Sequence, residues 1–161
     1  MVVVSNTSPI SNLATIGQIG LLQQIYPQIL IPPTVHSELM GFVPIQPQIN
    51  DLLSRSWLKI QPVNNFTLVN TLQIQLDPGE AEAISLALEL NANRLLIDER
   101  LGRSIATQYG LKIRGILGLL INAKEQGLIQ VLKPILDDLI DRAGFRVRQD
   151  LYDRILQEVG E

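Results

Sequence analysis

The sequence contains no cysteine and one histidine, His36, in 161 residues. Without cysteine the chain can form no disulfide bond, no thiolate zinc site and no cysteine nucleophile. A single imidazole also excludes metal sites that need two histidines, such as those of the zinc proteases. Any metal site in this chain therefore depends mainly on oxygen donors.

Long apolar runs are also absent. The densest apolar stretch, Gly115–Ile121, is far shorter than the roughly 20 residues that a membrane-spanning helix needs. The first residues carry no lysine or arginine ahead of an apolar segment, so they do not resemble a secretory signal. With 46% apolar and 18% charged residues the chain is neither disordered, collagenous nor a coiled coil. We expect a globular cytoplasmic protein with no membrane segment.

Basic residues are scarce and unevenly placed. The net charge of −3 argues against nucleic-acid binding through overall charge. Residues 1–93 hold two basic residues and six acids, whereas residues 94–124 hold six basic residues and two acids, Asp98 and Glu99. The segment 94–124 is therefore the candidate basic surface, although a solvated helix face explains it equally well.

Short aliphatic runs alternate with helical patterns along the chain, which predicts a doubly wound parallel sheet of the α/β class. The predicted strands are 2–5, 29–31, 57–63, 94–97 and 111–114, of which 57–63 alternates like a strand nearer a sheet edge. The predicted helices are 16–26, 33–40, 49–56, 80–90, 102–109 and 116–126. Two prolines predict a loop at 42–48. We expect one domain over 1–161, with 129–161 as a helical C-terminal extension that breaks near Gly144.

Polar residues follow two of the predicted strands. Asn6 comes after the first strand and Asp98 after 94–97. In open α/β sheets, sites form beyond the carboxyl ends of the strands, so these side chains are candidate site residues. Each could instead cap the helix that follows it.

The helix after Gly79 adds a carboxylate whose orientation follows from its spacing. Glu80 shares a stripe at i, i+3, i+4 and i+7 with Ala83, Ile84 and Ala87, so it is expected to face inward. Glu82 falls on a more polar stripe and is expected to be solvated. The helix dipole explains an inward carboxylate at a helix N-terminus only in part.

Glu38, in the helix after the second strand, completes a set with Asn6, Glu80 and Asp98. Taken alone, Glu38 is better explained as an exposed helix glutamate. The set contains only oxygen donors, which suit Mg²⁺ or Mn²⁺ rather than zinc or copper. Such ions activate water and stabilise charge on a phosphodiester, which is nuclease chemistry.

Four stretches resemble a known family: VSNTSPI at 4–10, LDPGEAEAI at 76–84, LIDER at 96–100 and GILG at 115–118. They resemble a prokaryotic PIN-like family, largely catalogued as a domain of unknown function and similar to the VapC toxins. The resemblance extends over almost the whole chain. It implies a three-layer α/β/α fold with a central parallel sheet, and a metal-dependent ribonuclease with a cluster of acids.

The resemblance also assigns the site. The family's first acid, an aspartate at the end of the first strand, falls on an asparagine here, and the other acids fall on glutamates and an aspartate. The four catalytic and metal-binding positions are Asn6, Glu38, Glu80 and Asp98. The separation of eighteen positions between the last two agrees with the family spacing, and Glu99 is a possible auxiliary ligand.

Three further positions match residues that contact RNA or phosphate. Ser8 would orient a water molecule or a phosphate, and Arg103 and Lys124 would contact RNA phosphates. Salt pairing within the protein explains the two basic residues equally well. These assignments come from the resemblance alone.

The leading hypothesis is an endoribonuclease of the VapC toxin type that uses Mg²⁺ or Mn²⁺. By resemblance, its partners are an RNA substrate, a small cognate antitoxin and a second copy of the chain in a homodimer. Because Asn6 carries no charge, it is a weaker ligand, and the alternative is a catalytically weakened module that binds RNA or a partner protein. A receiver-like domain is disfavoured because no acid pair follows the first strand, and a dinucleotide-binding fold because G-x-G-x-x-G is absent.

Overall fold

Five short strands form one parallel sheet at the centre of the computed structural model, which describes residues 1–161. The strands are β1 (Val3–Ser5), β2 (Ile29–Ile31), β3 (Leu58–Ile60), β4 (Arg94–Leu96) and β5 (Ile113–Arg114). They pair in the order β3-β2-β1-β4-β5, and every pair is parallel. The chain runs outward from β1 to β3 and then returns to β4 beside β1. This reversal confirms the doubly wound sheet and places a switch point between β1 and β4.

Ten α-helices surround the sheet. They are α1 (Thr7–Thr15), α2 (Ile19–Ile25), α3 (Pro33–Met40), α4 (Gln46–Ser54), α5 (Phe66–Leu72), α6 (Pro78–Glu89), α7 (Arg100–Gln108), α8 (Ile116–Glu125), α9 (Lys133–Asp141) and α10 (Gln149–Glu158). None of them combines the length and the apolar content that a membrane crossing requires.

Three local predictions were wrong: the start of one helix, one loop, and one helix that was not predicted. The predicted helix 16–26 begins only at Ile19, because Gly17 adopts a φ of +72° between α1 and α2. The predicted loop 42–48 forms a 3₁₀ turn at Val43–Ile45 and the start of α4. Its two prolines lie in first turns, where a missing N–H removes no hydrogen bond. α5 was not predicted, because its β-branched residues and asparagine are weak helix formers.

The side chains of the sheet divide into two apolar cores, one on each face. The larger core contains 28 buried residues, contributed by α1–α4, α8–α10, the strands and connecting segments, and the smaller contains 14, contributed by α5–α7, the strands and connecting segments. Alternation along β4 illustrates the division, since Leu96 belongs to the larger core and Leu95 to the smaller. This arrangement confirms the three-layer α/β/α fold. The C-terminal helices α9 and α10 contribute Leu136 and Ile155 to the larger core.

Candidate active site

Asn6 is held at the switch point by the sheet itself. Its backbone N–H donates to the carbonyl oxygen of Leu96 at 2.9 Å, which extends the pairing of β1 with β4 by one residue. Its side chain forms no capping hydrogen bond to α1, so the helix-cap alternative is not what the structure shows. Asn6 is buried, and its Oδ1 has no hydrogen-bond partner.

Asp98 follows Ile97 and lies two residues beyond the end of β4. Its Oδ1 accepts a hydrogen bond of 2.8 Å from the N–H of Ile116, so it caps α8 rather than the following helix α7. Its Oδ2 is buried without a partner. Burial raises the pKa of Asp98 to about 6, against the opposing effects of the Ile116 N–H and of the positive charge of Arg103.

Glu80 lies in the first turn of α6 and is 6% exposed, so the inward orientation predicted from helix phase is confirmed. Asp77 caps this helix by accepting the Glu80 N–H at 2.8 Å. Burial raises the pKa of Glu80 to about 8, and the adjacent Asp77 and Glu99 carboxylates contribute to the rise. Oε2 of Glu80 has no hydrogen-bond partner. The solvated position expected for Glu82 was wrong, since it is half-buried and accepts hydrogen bonds from the N–H and hydroxyl of Thr34.

Glu38 lies beside the same region on α3. Its Oε2 accepts a hydrogen bond of 2.9 Å from the hydroxyl of Thr7, the residue after Asn6. The carboxylate also lies against Gly79, the residue before Glu80. Burial raises the pKa of Glu38, and the Thr7 hydrogen bond opposes this rise.

Each of the three acids packs against a glycine on a neighbouring element. A Cβ atom on Gly79 would overlap the carboxylate of Glu38, and one on Gly102 would overlap that of Glu80. A Cβ atom on Gly115 would lie 3.0 Å from Oδ1 of Asp98 and would overlap the guanidinium of Arg103. The absence of a side chain at these three positions gives the carboxylates their space.

Two clefts meet at Asp98. The smaller, of about 490 Å³, is lined by Ser8 and Glu99 among others. Glu99 is exposed and forms no capping hydrogen bond, but its negative charge raises the pKa of both Asp98 and Glu80. Ser8 and Glu99 therefore lie in the same cleft as Asp98.

The larger cleft, of about 680 Å³, is lined by three arginines: Arg103, Arg114 and Arg146. None of them forms an ion pair, since the five ion pairs of the protein use other cations. Arg103 donates through Nη1 to the carbonyl oxygen of Ile97 at 3.2 Å, which directs it towards Asp98. Unpaired guanidinium groups beside a cleft are suited to binding phosphates.

Lys124, which the resemblance predicted to contact RNA phosphates, lies away from both clefts. Its ammonium pairs with Glu161 at 3.1 Å and donates to the carbonyl oxygen of Gln130, and the residue lines neither cleft. The salt-paired alternative therefore describes Lys124 in this structure. Arg146 and its neighbour Phe145 were missed by the sequence reasoning, and the only local signal was the helix break at Gly144.

The donor set fits a hard divalent cation. No three histidine, cysteine, aspartate or glutamate side chains form a metal-binding group by themselves. The buried side-chain oxygens without a hydrogen-bond partner nevertheless belong to Asn6 after β1, Glu80 on α6 and Asp98 after β4. A neutral amide oxygen with two carboxylates, completed by water, is a ligand set that Mg²⁺ and Mn²⁺ accept.

Comparison with known proteins agrees with this fold. A solved structure of a PilT N-terminus domain protein from the hyperthermophilic archaeon Sulfolobus solfataricus P2 has the same fold, with a TM-score of 0.55 and 24% sequence identity. The similarity covers 76% of this chain and 93% of that chain. A comparison with curated proteins gave no match. The sequence profile of the PIN domain matches residues 2–161, and the chain therefore belongs to the PIN-domain family.

Proposed function

We propose that this protein is a metal-dependent endoribonuclease of the VapC toxin type that hydrolyses RNA phosphodiesters. PIN domains are generally nucleases that use divalent metal ions. One observation carries the proposal: the only buried side-chain polar atoms without a hydrogen-bond partner are Oδ1 of Asn6, Oε2 of Glu80 and Oδ2 of Asp98. Each unsatisfied buried oxygen costs about 1–3 kcal/mol, and a bound cation would offset that cost.

The proposed metal ligands are of two kinds, charged and neutral oxygens. Glu80 and Asp98 would bind Mg²⁺ or Mn²⁺ with charged oxygens, and Asn6 with a neutral one. Glu38, already bonded to Thr7, would complete the negative charge beside them. When bound, such a cation stabilises the charge that develops on a phosphodiester and activates water.

The other residues of the site would bind and orient the RNA. Arg103 and Arg114 present unpaired positive charge beside Asp98 and would hold phosphates of the substrate. Ser8, in the smaller cleft, would orient a water molecule or a phosphate. Glu99 would act as an auxiliary acid, in keeping with its effect on the pKa of both neighbouring carboxyls.

The test is cleavage of labelled single-stranded RNA with Mn²⁺, with Mg²⁺ and with EDTA. Glu80→Gln and Asp98→Asn should each lower metal-dependent cleavage by on the order of 100-fold. Glu158→Gln is the matched control, because Glu158 is exposed and forms no ion pair. Cleavage that survives both site substitutions would show that the acids are wrongly assigned.

The second candidate function is a weakened PIN module that binds RNA or a partner protein without cutting. It is favoured by the amide at position 6, which brings no charge to the cation. Asn6→Asp separates the two functions. In a nuclease it should tighten Mn²⁺ binding and raise cleavage, whereas in a binding module cleavage should remain absent.

We also propose the partners that the VapC resemblance implies: a small cognate antitoxin that blocks the site and a second copy of this chain. Residues 1–50 contain no lysine or arginine, and Phe42 and Val43 are 47% and 68% exposed on that part of the surface. Light scattering of the wild type and of Val43→Glu measures the dimer. Toxicity is measured as growth arrest when the protein is expressed in the cytoplasm of a bacterial host. Asp98→Asn should cause no growth arrest.

A further inference from the structure

The segment that connects α9 to α10, residues 142–148, forms a wall shared by both clefts. Phe145 and Arg146 line the larger cleft together with Asp98. The same two residues line the smaller cleft, again with Asp98. The C-terminal part of the chain therefore reaches the acid site, although the acids themselves come from earlier elements.

This connecting segment is anchored at several points. The N–H of Phe145 donates to the carbonyl oxygen of Leu139 at 2.9 Å, and Nη2 of Arg142 donates to that of Thr15 at 3.2 Å. Phe145 is half-buried against the larger core. Gly144 adopts a φ of +71°, which turns the chain immediately before it. Phe145 is thus held in place while part of it remains open to the clefts.

Its chemistry distinguishes Phe145 from the rest of the lining. It is the only aromatic residue in either cleft, and the next residue, Arg146, is exposed and forms no ion pair. Proteins bind single-stranded nucleic acid through aromatic rings that stack on bases, beside basic groups that follow the phosphates. In a duplex the faces of the bases are covered by stacking, so such a surface selects single strands.

We infer that Phe145 stacks on one base of a single-stranded RNA and that Arg146 contacts an adjoining phosphate. Together they position the strand with a phosphodiester at Asp98. The reaction at that position rests on the proposed function, but the binding surface does not. Phe145 and Arg146 are in this sense positioning residues, and the acids act on the strand that they hold.

The first test measures binding in EDTA, so that no cleavage occurs. A fluorescein-labelled single-stranded RNA on the order of ten nucleotides long is titrated with each variant, and anisotropy is recorded. Phe145→Leu keeps an apolar side chain against the core but removes the ring, and it should weaken binding about tenfold or more. Phe145→Tyr should bind like the wild type. Arg146→Gln should weaken binding and reduce its dependence on salt.

The controls separate this surface from general effects. Phe66→Leu removes an exposed ring on α5, which packs on the other face of the sheet, and should leave binding unchanged. Melting temperatures show whether each variant is folded. Equal RNA affinity of folded Phe145→Leu and wild type would overturn the inference.

A second readout reports stacking directly. Phe145→Trp places an indole at the proposed surface, and its fluorescence should be quenched by single-stranded RNA and not by a duplex of the same sequence. The native Trp57 is buried and donates through its indole N–H to the carbonyl oxygen of Tyr26 at 2.9 Å, so its signal should stay constant. Equal quenching by duplex and single strand would contradict base stacking.

The two proposals fail in different ways. Binding that depends on Phe145, without any cleavage in Mn²⁺ or Mg²⁺, would overturn the nuclease and support the stacking surface. Cleavage that depends on Asp98, with unchanged binding and unchanged KM in Phe145→Leu, would support the nuclease and overturn the stacking surface. Single-stranded DNA of the same sequence, bound as tightly as RNA, would support stacking and show that the surface does not read the 2′-hydroxyl.

Discussion

Gly102 of α7 leaves the space that the buried carboxylate of Glu80 on α6 occupies. A Cβ atom on Gly102 would overlap Oε2 of Glu80 and would lie 2.8 Å from Cδ1 of Ile97. Both atoms are the ends of flexible side chains, so the fold can adjust while the carboxylate moves. The position of Glu80 is thus set by a residue 22 positions further along the chain.

Gly102→Ala should therefore impair the site more than the fold. The displaced carboxylate should weaken Mn²⁺ binding by about tenfold, as loss of a supporting contact around a metal ligand commonly does. Calorimetric titration measures the affinity and thermal unfolding measures the fold. Gly118→Ala is the matched control, because its Cβ would meet only the side chain of Arg114, at ordinary distances of 3.7 Å from Cγ and 4.0 Å from Cδ. Mn²⁺ affinity that is equal in both variants would contradict this account.

The metal-free protein should lose stability as pH rises from about 5 to about 8. Burial raises the folded-state pKa of Glu80 from 4.5 to about 8 and that of Asp98 from 3.8 to about 6. The folded state therefore binds more protons than the unfolded state in this range, and the free energy of unfolding falls with pH. Melting temperatures in EDTA measure the trend.

Glu80→Gln should remove most of this slope above about pH 7, where Asp98, with a pKa of about 6, has released most of its proton. Asp98→Asn should flatten the pH dependence of the melting temperature only in the lower part of this pH range. A wild-type melting temperature that rises between pH 6 and pH 8 would show that Glu80 is ionised in the folded protein.

Mn²⁺ binding should release protons. A carboxylic acid must lose its proton before its oxygens bind a cation strongly, so the affinity for Mn²⁺ should increase from about pH 6 to about pH 8. Calorimetry in buffers of different ionisation enthalpy counts the protons released. Binding without proton release at pH 7 would show that Glu80 either is already ionised in the metal-free protein or is not a ligand.

Asp77 should contribute to stability as the cap of α6. Asp77→Ala removes the acceptor of the Glu80 N–H and should lower the free energy of unfolding by about 1 kcal/mol. Asp77→Ser keeps an acceptor without the charge, so it should restore stability and also lower the pKa of Glu80. Urea denaturation of the two variants separates the effect of the capping hydrogen bond from that of the charge. Equal stability of Asp77→Ala and Asp77→Ser would show that the hydrogen bond contributes little.

Much of the fold could be predicted from local pattern. β2 and α3 are where the aliphatic runs and the prolines predict them, because burial on both sides of a parallel strand demands continuous apolar residues. The break at Gly17 and the helix α5 were not predicted. Gly17 breaks the chain through its positive φ, whereas packing of α5 against the core outweighs a weak local helix preference.

The site could be predicted only in part. The strand ends predicted Asn6 and Asp98 as candidate ligands, and helix phase predicted the inward orientation of Glu80, since these signals lie within a few residues of each side chain. The pairing of Lys124 with Glu161 joins residues 37 positions apart, and no pattern of short range reveals it.

By itself the sequence determined the fold class, because apolar periodicity and the order of the strands follow from the order of residues along the chain, and it predicted an oxygen-donor site. Only the tertiary structure decided how each acid is held. Asp98 caps α8 rather than the next helix, glycines on other elements leave room for the carboxylates, and the segment that carries Phe145 returns to the site. These contacts join residues far apart in the chain, and they form only when the helices pack on the sheet.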